Sequence, residues 1–131
     1  MNKLRGQFAF VIYDKITNEL FMARDRIGIK PLYYSVNDNW IIFGSEIKAI
    51  ELSKLIEFEP DIDSYLAYLR HLCVPADSTG NKNIKKLEPG QFIRIDKNGK
   101  ISKKIYWDPF TFSVNHLSLI HISEPTRRST I

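Results

Sequence analysis

Three groups of residues in this 131-residue chain have types that do chemistry: Arg24, Asp25 and Arg26 in the stretch ARDRIGIKPLYY, the pair His71 and Cys73, and His121. Alternating charge beside a Gly-x-Lys-Pro turn is either an acid–base cluster or architecture. An aspartate at the start of a turn commonly accepts bonds from its own downstream backbone N–H groups, and a flanking arginine satisfies the remaining lone pairs. Gly28 supplies a permissive φ and Pro31 fixes the exit, so the architectural reading is preferred. His71 and Cys73 lie two residues apart at the end of a predicted helix. Their side chains then diverge by roughly 200° on a 3.6-residue wheel and do not share a proton, so Cys73 is expected to be a buried structural thiol. His121 lies in the tail without a partner of interest. The chain contains no Cys-x-x-Cys, His-Glu-x-x-His, Gly-x-Gly-x-x-Gly or Walker sequence, and so no metal or phosphate motif.

Composition bounds the rest. With 44% hydrophobic residues and 12% aromatics, the chain suffices for one globular domain. The net charge of +4 comes from lysines scattered through turns and strand ends, which reads as solvation, with a nucleic-acid stripe as the alternative. A single cysteine cannot form an internal disulfide, and no apolar run approaches the ~18 residues of a membrane span. No secretory signal is visible, and a cytoplasmic protein is the expectation.

The elements that would position these residues follow from pattern. QFAFVIYD and ELFMARD flank the turn DKITNE as a hairpin, and LYYSV and WIIFGS follow, giving four strands in meander order. Both alternating sets of the first strand, Phe8, Phe10 and Ile12 against Ala9, Val11 and Tyr13, are apolar or amphipathic. Its sheet is therefore expected to be covered on both sides. Ser45 is placed to cap a short helix with Ile47, Ile50 and Leu55 on one face. Asp61 caps a second helix carrying Ile62, Tyr65, Leu66 and Leu69 at i, i+3, i+4 and i+7. QFIRID and KISKKIYW flank Asn98-Gly99 as a last hairpin. Strands, then helices, then a hairpin make an α+β arrangement.

LRGQFAFVIYD, LFMARDRIGIKPLYY, IIFGSEIKAI, CVPADST, IKKLEPGQFIRI and IYWDP, six blocks from Leu4 to Pro109, together resemble the N-terminal glutaminase domain of glutamine-dependent asparagine synthetases. The resemblance implies an N-terminal-nucleophile hydrolase fold, a four-layer αββα sandwich of which only the later part is present. In that family an N-terminal cysteine thiol attacks the glutamine carboxamide with the α-amino group as base. The ammonia then displaces AMP from aspartate activated by ATP and magnesium. The implied substrates are L-glutamine and L-aspartate, and the resemblance implies a homo-oligomeric full-length enzyme that binds neither nucleic acid nor membrane.

The departures are as informative as the match. Met1 is followed by Asn2, so no N-terminal cysteine is unmasked, and the family's arginine-containing, Asn-Gly-Glu and Gly-Ser-Asp segments have no counterpart. The Ser-Gly-Gly-x-Asp-Ser loop of the ATP site has none either. Residues 1–110 are thus expected to be the C-terminal part of a glutaminase domain, inactive as written, with no catalytic, cofactor-binding or metal residues. Residues 111–131 are expected to be a non-native tail in which 117–127, LSLIHISEPTR, is a translated sequencing adapter. Arg24, Asp25, Arg26, Gly28, Pro31, Ser45 and Glu46 are assigned to support of the glutamine pocket. Asp25 and Glu46 are expected to accept bonds from Arg24, Arg26 or nearby backbone. Alternative readings are a related amidotransferase acting on another carboxylate and a non-catalytic module that pairs with a separate subunit. A half-sandwich with uncovered apolar faces is expected to be poorly soluble or oligomeric.

Overall fold

A computed structural model describes residues 3–37, 39–75 and 77–110; the expected tail, with His121, lies outside the described residues. Strands β1 (Ala9–Asp14) and β2 (Glu19–Arg24) form the first hairpin. Its turn is organised by the Asp14 carboxylate, which accepts from the N–H of Ile16 at 2.8 Å and of Thr17 at 3.3 Å, an aspartate's usual role at such a position. Strands β3 (Tyr33–Val36) and β4 (Ile41–Gly44) form a second hairpin, closed by Asn37 Oδ1 accepting from Asn39 and Trp40, both at 2.9 Å. Strands β5 (Lys85–Lys86), β6 (Gln91–Ile95) and β7 (Ile101–Ile105) follow. The Asn98-Gly99 turn between β6 and β7 is held by Asp96, with Gly99 at φ 78°.

The four leading strands do not form one meander. They divide between two antiparallel sheets of order β1-β2-β6-β7 and β4-β3-β5. The segment from Asp25 to Leu32 is too long for a hairpin turn and carries the chain from one sheet to the other. The free edge of β2 pairs with β6, with Leu20 opposite Ile95 and Met22 opposite Ile93. The result is a mixed α/β architecture with antiparallel sheets.

Side-chain alternation sends Val11, Met22 and Ile93 to one face, where they meet Leu32, Tyr34 and Leu87 in the core between the sheets. The opposite face carries an aromatic run, with ring centroids 5.6 Å apart for Phe8 and Phe10, 6.1 Å for Phe10 and Phe21, and 5.1 Å for Phe21 and Phe92. Ile12 on that face is 56% exposed, so the expected coverage on both sides is not met among the described residues. The packed helix explains why: α1 (Ile47–Glu51) buries Ile50 against the other sheet, on the face of Gly44.

Ser45 does not cap α1. Glu46 occupies the cap position and makes no side-chain cap bond. The helix ends at Glu51 and the chain turns through Lys54 at φ 57°, so Leu55 is exposed and leaves the face of Ile50. Helix α2 (Ile62–His71) starts as expected, with Asp61 accepting from the Ser64 N–H at 3.3 Å and the Ser64 hydroxyl at 2.7 Å. It ends at left-handed Leu72. Its apolar residues Ile62, Tyr65, Leu66 and Leu69 are all exposed. Among the described residues no helix is long and apolar enough to cross a membrane.

The packing yields a direct test. Ile93→Ala, at a fully buried position, is expected to lower stability by about 2–4 kcal/mol. Ile16→Ala, at a residue 93% exposed, should stay within about 0.5 kcal/mol. Urea unfolding midpoints of the two variants measure the difference.

Candidate functional site

The charged stretch folds around the Asp25 carboxylate. Oδ1 accepts from the N–H groups of Ile27 at 3.1 Å, Gly28 at 2.7 Å and Ile29 at 3.0 Å, and Oδ2 from Lys30 at 3.0 Å. Asp25 is 1% exposed. Burial pushes its carboxyl upward, the four backbone donors of Lys30, Ile29, Gly28 and Ile27 outweigh that, and the net shift is below the usual carboxylate value.

Arg24, also buried, points its guanidinium at carbonyls and not at Asp25. Nε donates to Lys30 O at 2.8 Å, Nη1 to Leu87 O at 2.6 Å and Nη2 to Gly28 O at 2.6 Å. Burial draws its pKa down from the ordinary arginine value, against the opposing charges of Asp25 and Tyr33. Gly28 has φ 73°, and a Cβ there would stand 2.7 Å from Pro89 Cγ and 3.1 Å from the Arg24 guanidinium carbon.

A second segment completes the cluster. The Gly90 N–H donates to Asp25 O at 2.9 Å, and Gly90 O accepts from Tyr106 at 2.8 Å and Trp107 at 3.2 Å. Tyr106 donates its hydroxyl to Arg24 O at 2.7 Å. Burial first, then the charge of Asp25, raise the Tyr106 pKa, with Arg26 opposing.

Of the residues singled out in the sequence, Arg24, Asp25 and Gly28 meet in this network, and half-buried Pro31 leads out of it into β3. Arg26 is half-buried beside it, with Nε buried and without a hydrogen-bond partner among the described residues. Ser45 and Glu46 are exposed and stand apart, and Glu46 accepts no bond from either arginine. Beyond Glu46 the turn of α1 points its side chain to solvent, so the expected bond is absent. Leu87, Gly90 and Tyr106 were not foreseen as partners: the bond from Arg24 to Leu87 joins residues 63 apart in sequence, and only the turn residues of LEPG hinted at it.

Cys73 is exposed, contrary to the buried thiol expected, because it follows the αL residue Leu72 at the end of a helix that is itself exposed. Among the described residues no group of three or more His, Cys, Asp or Glu side chains could hold a metal ion. The Asp25 and Arg24 groups are engaged by backbone on every side shown, which suits positioning and not proton transfer.

A profile of the glutamine amidotransferase domain matches residues 1–107, and the chain belongs to that family. It is 39% identical over 106 residues to glutamine-hydrolysing asparagine synthetase 1 of Bacillus subtilis (strain 168), covering 81% of this chain and 17% of the relative. It is 35% identical over 111 residues to asparagine synthetase 3 of the same organism, covering 82% and 18%. It is 33% identical over 131 residues to Amidase chry2 of Gibberella zeae, covering 97% and 19%. The chain thus spans less than a fifth of the length of each of these relatives.

The network makes two linked predictions. Asp25→Asn should cost about 2–3 kcal/mol, because an amide places N–H groups against backbone donors. Asp25 has a folded-state pKa below its unfolded one, so its contribution is complete above about pH 3.9 and is lost as pH falls through the depressed folded value. Thermal melts from pH 7 to pH 2 should therefore fall more steeply at the acid end for the native chain than for the Asn variant. Gly28→Ala should cost at least about 1–2 kcal/mol through its left-handed φ alone.

Proposed function

We propose that this chain is the later part of the glutaminase domain of a glutamine-dependent asparagine synthetase. The two face-to-face antiparallel sheets, one bearing a helix and the other a half-buried aromatic face, support the αββα sandwich as the parent architecture. Residues 1–110 belong to that domain and 111–131 are a non-native tail. The observation that carries the reading is the ARDRIGIKPLYY turn, wrapped on the Asp25 carboxylate and locked by Arg24 to Leu87, in a chain whose relatives are named for glutamine hydrolysis and asparagine synthesis. Its role is to hold the strand-turn-strand behind the glutamine pocket.

The parent hydrolyses L-glutamine and passes ammonia to L-aspartate in the cytoplasm, as an ATP-dependent carbon–nitrogen ligase that assembles with copies of itself and needs neither nucleic acid nor membrane. ATP and magnesium supply the activation of aspartate there, and no step of it runs through the residues described here.

A second reading, an amidotransferase acting on another carboxylate, draws on the match to Amidase chry2 over 97% of this chain. Long-read sequencing of the source locus, followed by expression of the whole frame, separates the two. The expected result is a Met-Cys start upstream, a Ser-Gly-Gly-x-Asp-Ser segment downstream, and equal yields of glutamate and asparagine from glutamine, aspartate and magnesium–ATP. Glutamate formed without asparagine would favour the second reading. A frame that begins at Met1 and stops at Ile131 would overturn both in favour of a non-catalytic module.

A further inference from the structure

The sandwich gapes where β7 runs beyond the short β5. The gap is a cleft of about 450 Å³, within the size range of small-molecule sites. Its lining includes none of the Arg24–Asp25 network. Val36, Leu55 and Ile101 give it apolar walls, and Trp40 offers an aromatic one.

Three lysines, Lys82, Lys85 and Lys103, line the cleft against one acid, Glu57. Lys82 is neutralised by Glu59 at 2.8 Å. Lys85 and Lys103 form no ion pair among the described residues, and both flank Tyr34. Lys85 is the register partner of Tyr34 across β3 and β5, which places the two side chains on one face. Lys103 comes from the facing sheet and sets its ammonium 5.5 Å from the Tyr34 ring centroid. A ring holds a cation without cancelling its charge, so Lys103 keeps its charge available, and Lys85 lines the same cleft with part of its field directed at the Asp61 carboxylate.

The walls are braced before any ligand arrives. Asn83 Nδ2 donates to Glu57 O at 3.1 Å, and the Lys82 N–H to Glu59 O at 2.8 Å. Asn37 fixes the backbone of Trp40 through its N–H at 2.9 Å. Two point charges without the planar fork of arginine suit a compact dianion such as phosphate better than a lone carboxylate. We propose that this cleft binds a small organic phosphate monoester, its phosphate between Lys85 and Lys103 and its ring against Trp40.

The test titrates the ¹⁵N-labelled 131-residue chain with AMP, inorganic phosphate and adenosine, following the indole N–H of Trp40 by NMR and the affinity by calorimetry. AMP is expected to saturate with a Kd of about 10⁻⁴ M and to bind about ten-fold tighter than either phosphate or adenosine. The double variant Lys85→Gln/Lys103→Gln should weaken AMP by at least about ten-fold. Lys104→Gln, on the opposite face of β7 beside Phe92, should leave it unchanged. Lys103→Arg keeps both charge and ring contact, so retention within about three-fold separates lost charge from lost packing. No saturation below about 10 mM, equal binding of phosphate and AMP, or a double variant that binds like Lys104→Gln would each overturn the proposal. So would a Lys103→Arg variant as weak as the neutral one.

Discussion

Everything around the first sheet crossing depends on one buried carboxylate. Taking an aspartate out of water costs several kcal/mol unless its acceptor sites are met, and Asp25 meets them with four consecutive backbone donors, Ile27 to Lys30. Four N–H groups converge on two oxygens only if the chain curls tightly, and that curl requires the left-handed φ of Gly28. The direction in which the chain leaves β2 is thereby set. It enters the second sheet and does not pair back on the first, which is why two hairpins become the two halves of a sandwich.

Arg24 extends that local constraint to the rest of the molecule. Its planar fork reaches the carbonyls of Gly28, Lys30 and Leu87, a set that the single ammonium of lysine does not match in geometry. Leu87 lies in the segment that feeds β6, and Gly90 in the same segment bonds both to Asp25 and to the residues that follow β7. The Tyr106 hydroxyl closes the circuit on Arg24 O. The end of β2, the entry to β3, the entry to β6 and the exit of β7 therefore share one polar node.

What was legible in the sequence was local. An aspartate ahead of a glycine-containing turn announced the Asp25 curl, Asn98-Gly99 announced the last hairpin, and Asp61 with its i, i+3, i+4, i+7 pattern announced α2 and its cap. Partners distant in sequence were not legible. Period-two alternation marks β2 and β6 as strands and is silent on their pairing, and nothing near Arg24 names Leu87. The same limit explains the misplaced surfaces. The pattern of α2 reports a helix with an apolar face, and that of β1 reports a strand apolar on both, but neither reports what lies against those faces. Ser45 illustrates the smallest error: it was read as the cap of the first helix, while the five-residue helix starts one residue later and puts Glu46 at that position.

The two charged regions of the chain differ in what their surroundings leave free. Asp25 and Arg24 are buried with backbone groups against them, and their value lies in rigidity. Lys85 and Lys103 are the reverse. Lys103 lies over the Tyr34 ring, Lys85 acts on Asp61 only through space, neither forms an ion pair among the described residues, and the cleft they line is wide enough for a ligand. A charge already engaged stabilises the fold, whereas one held in place by a ring retains its electrostatic pull on whatever enters. By that criterion the stretch richest in charge in this sequence is its scaffold, and the lysines that look like ordinary surface residues are the ones with free energy left to contribute to binding.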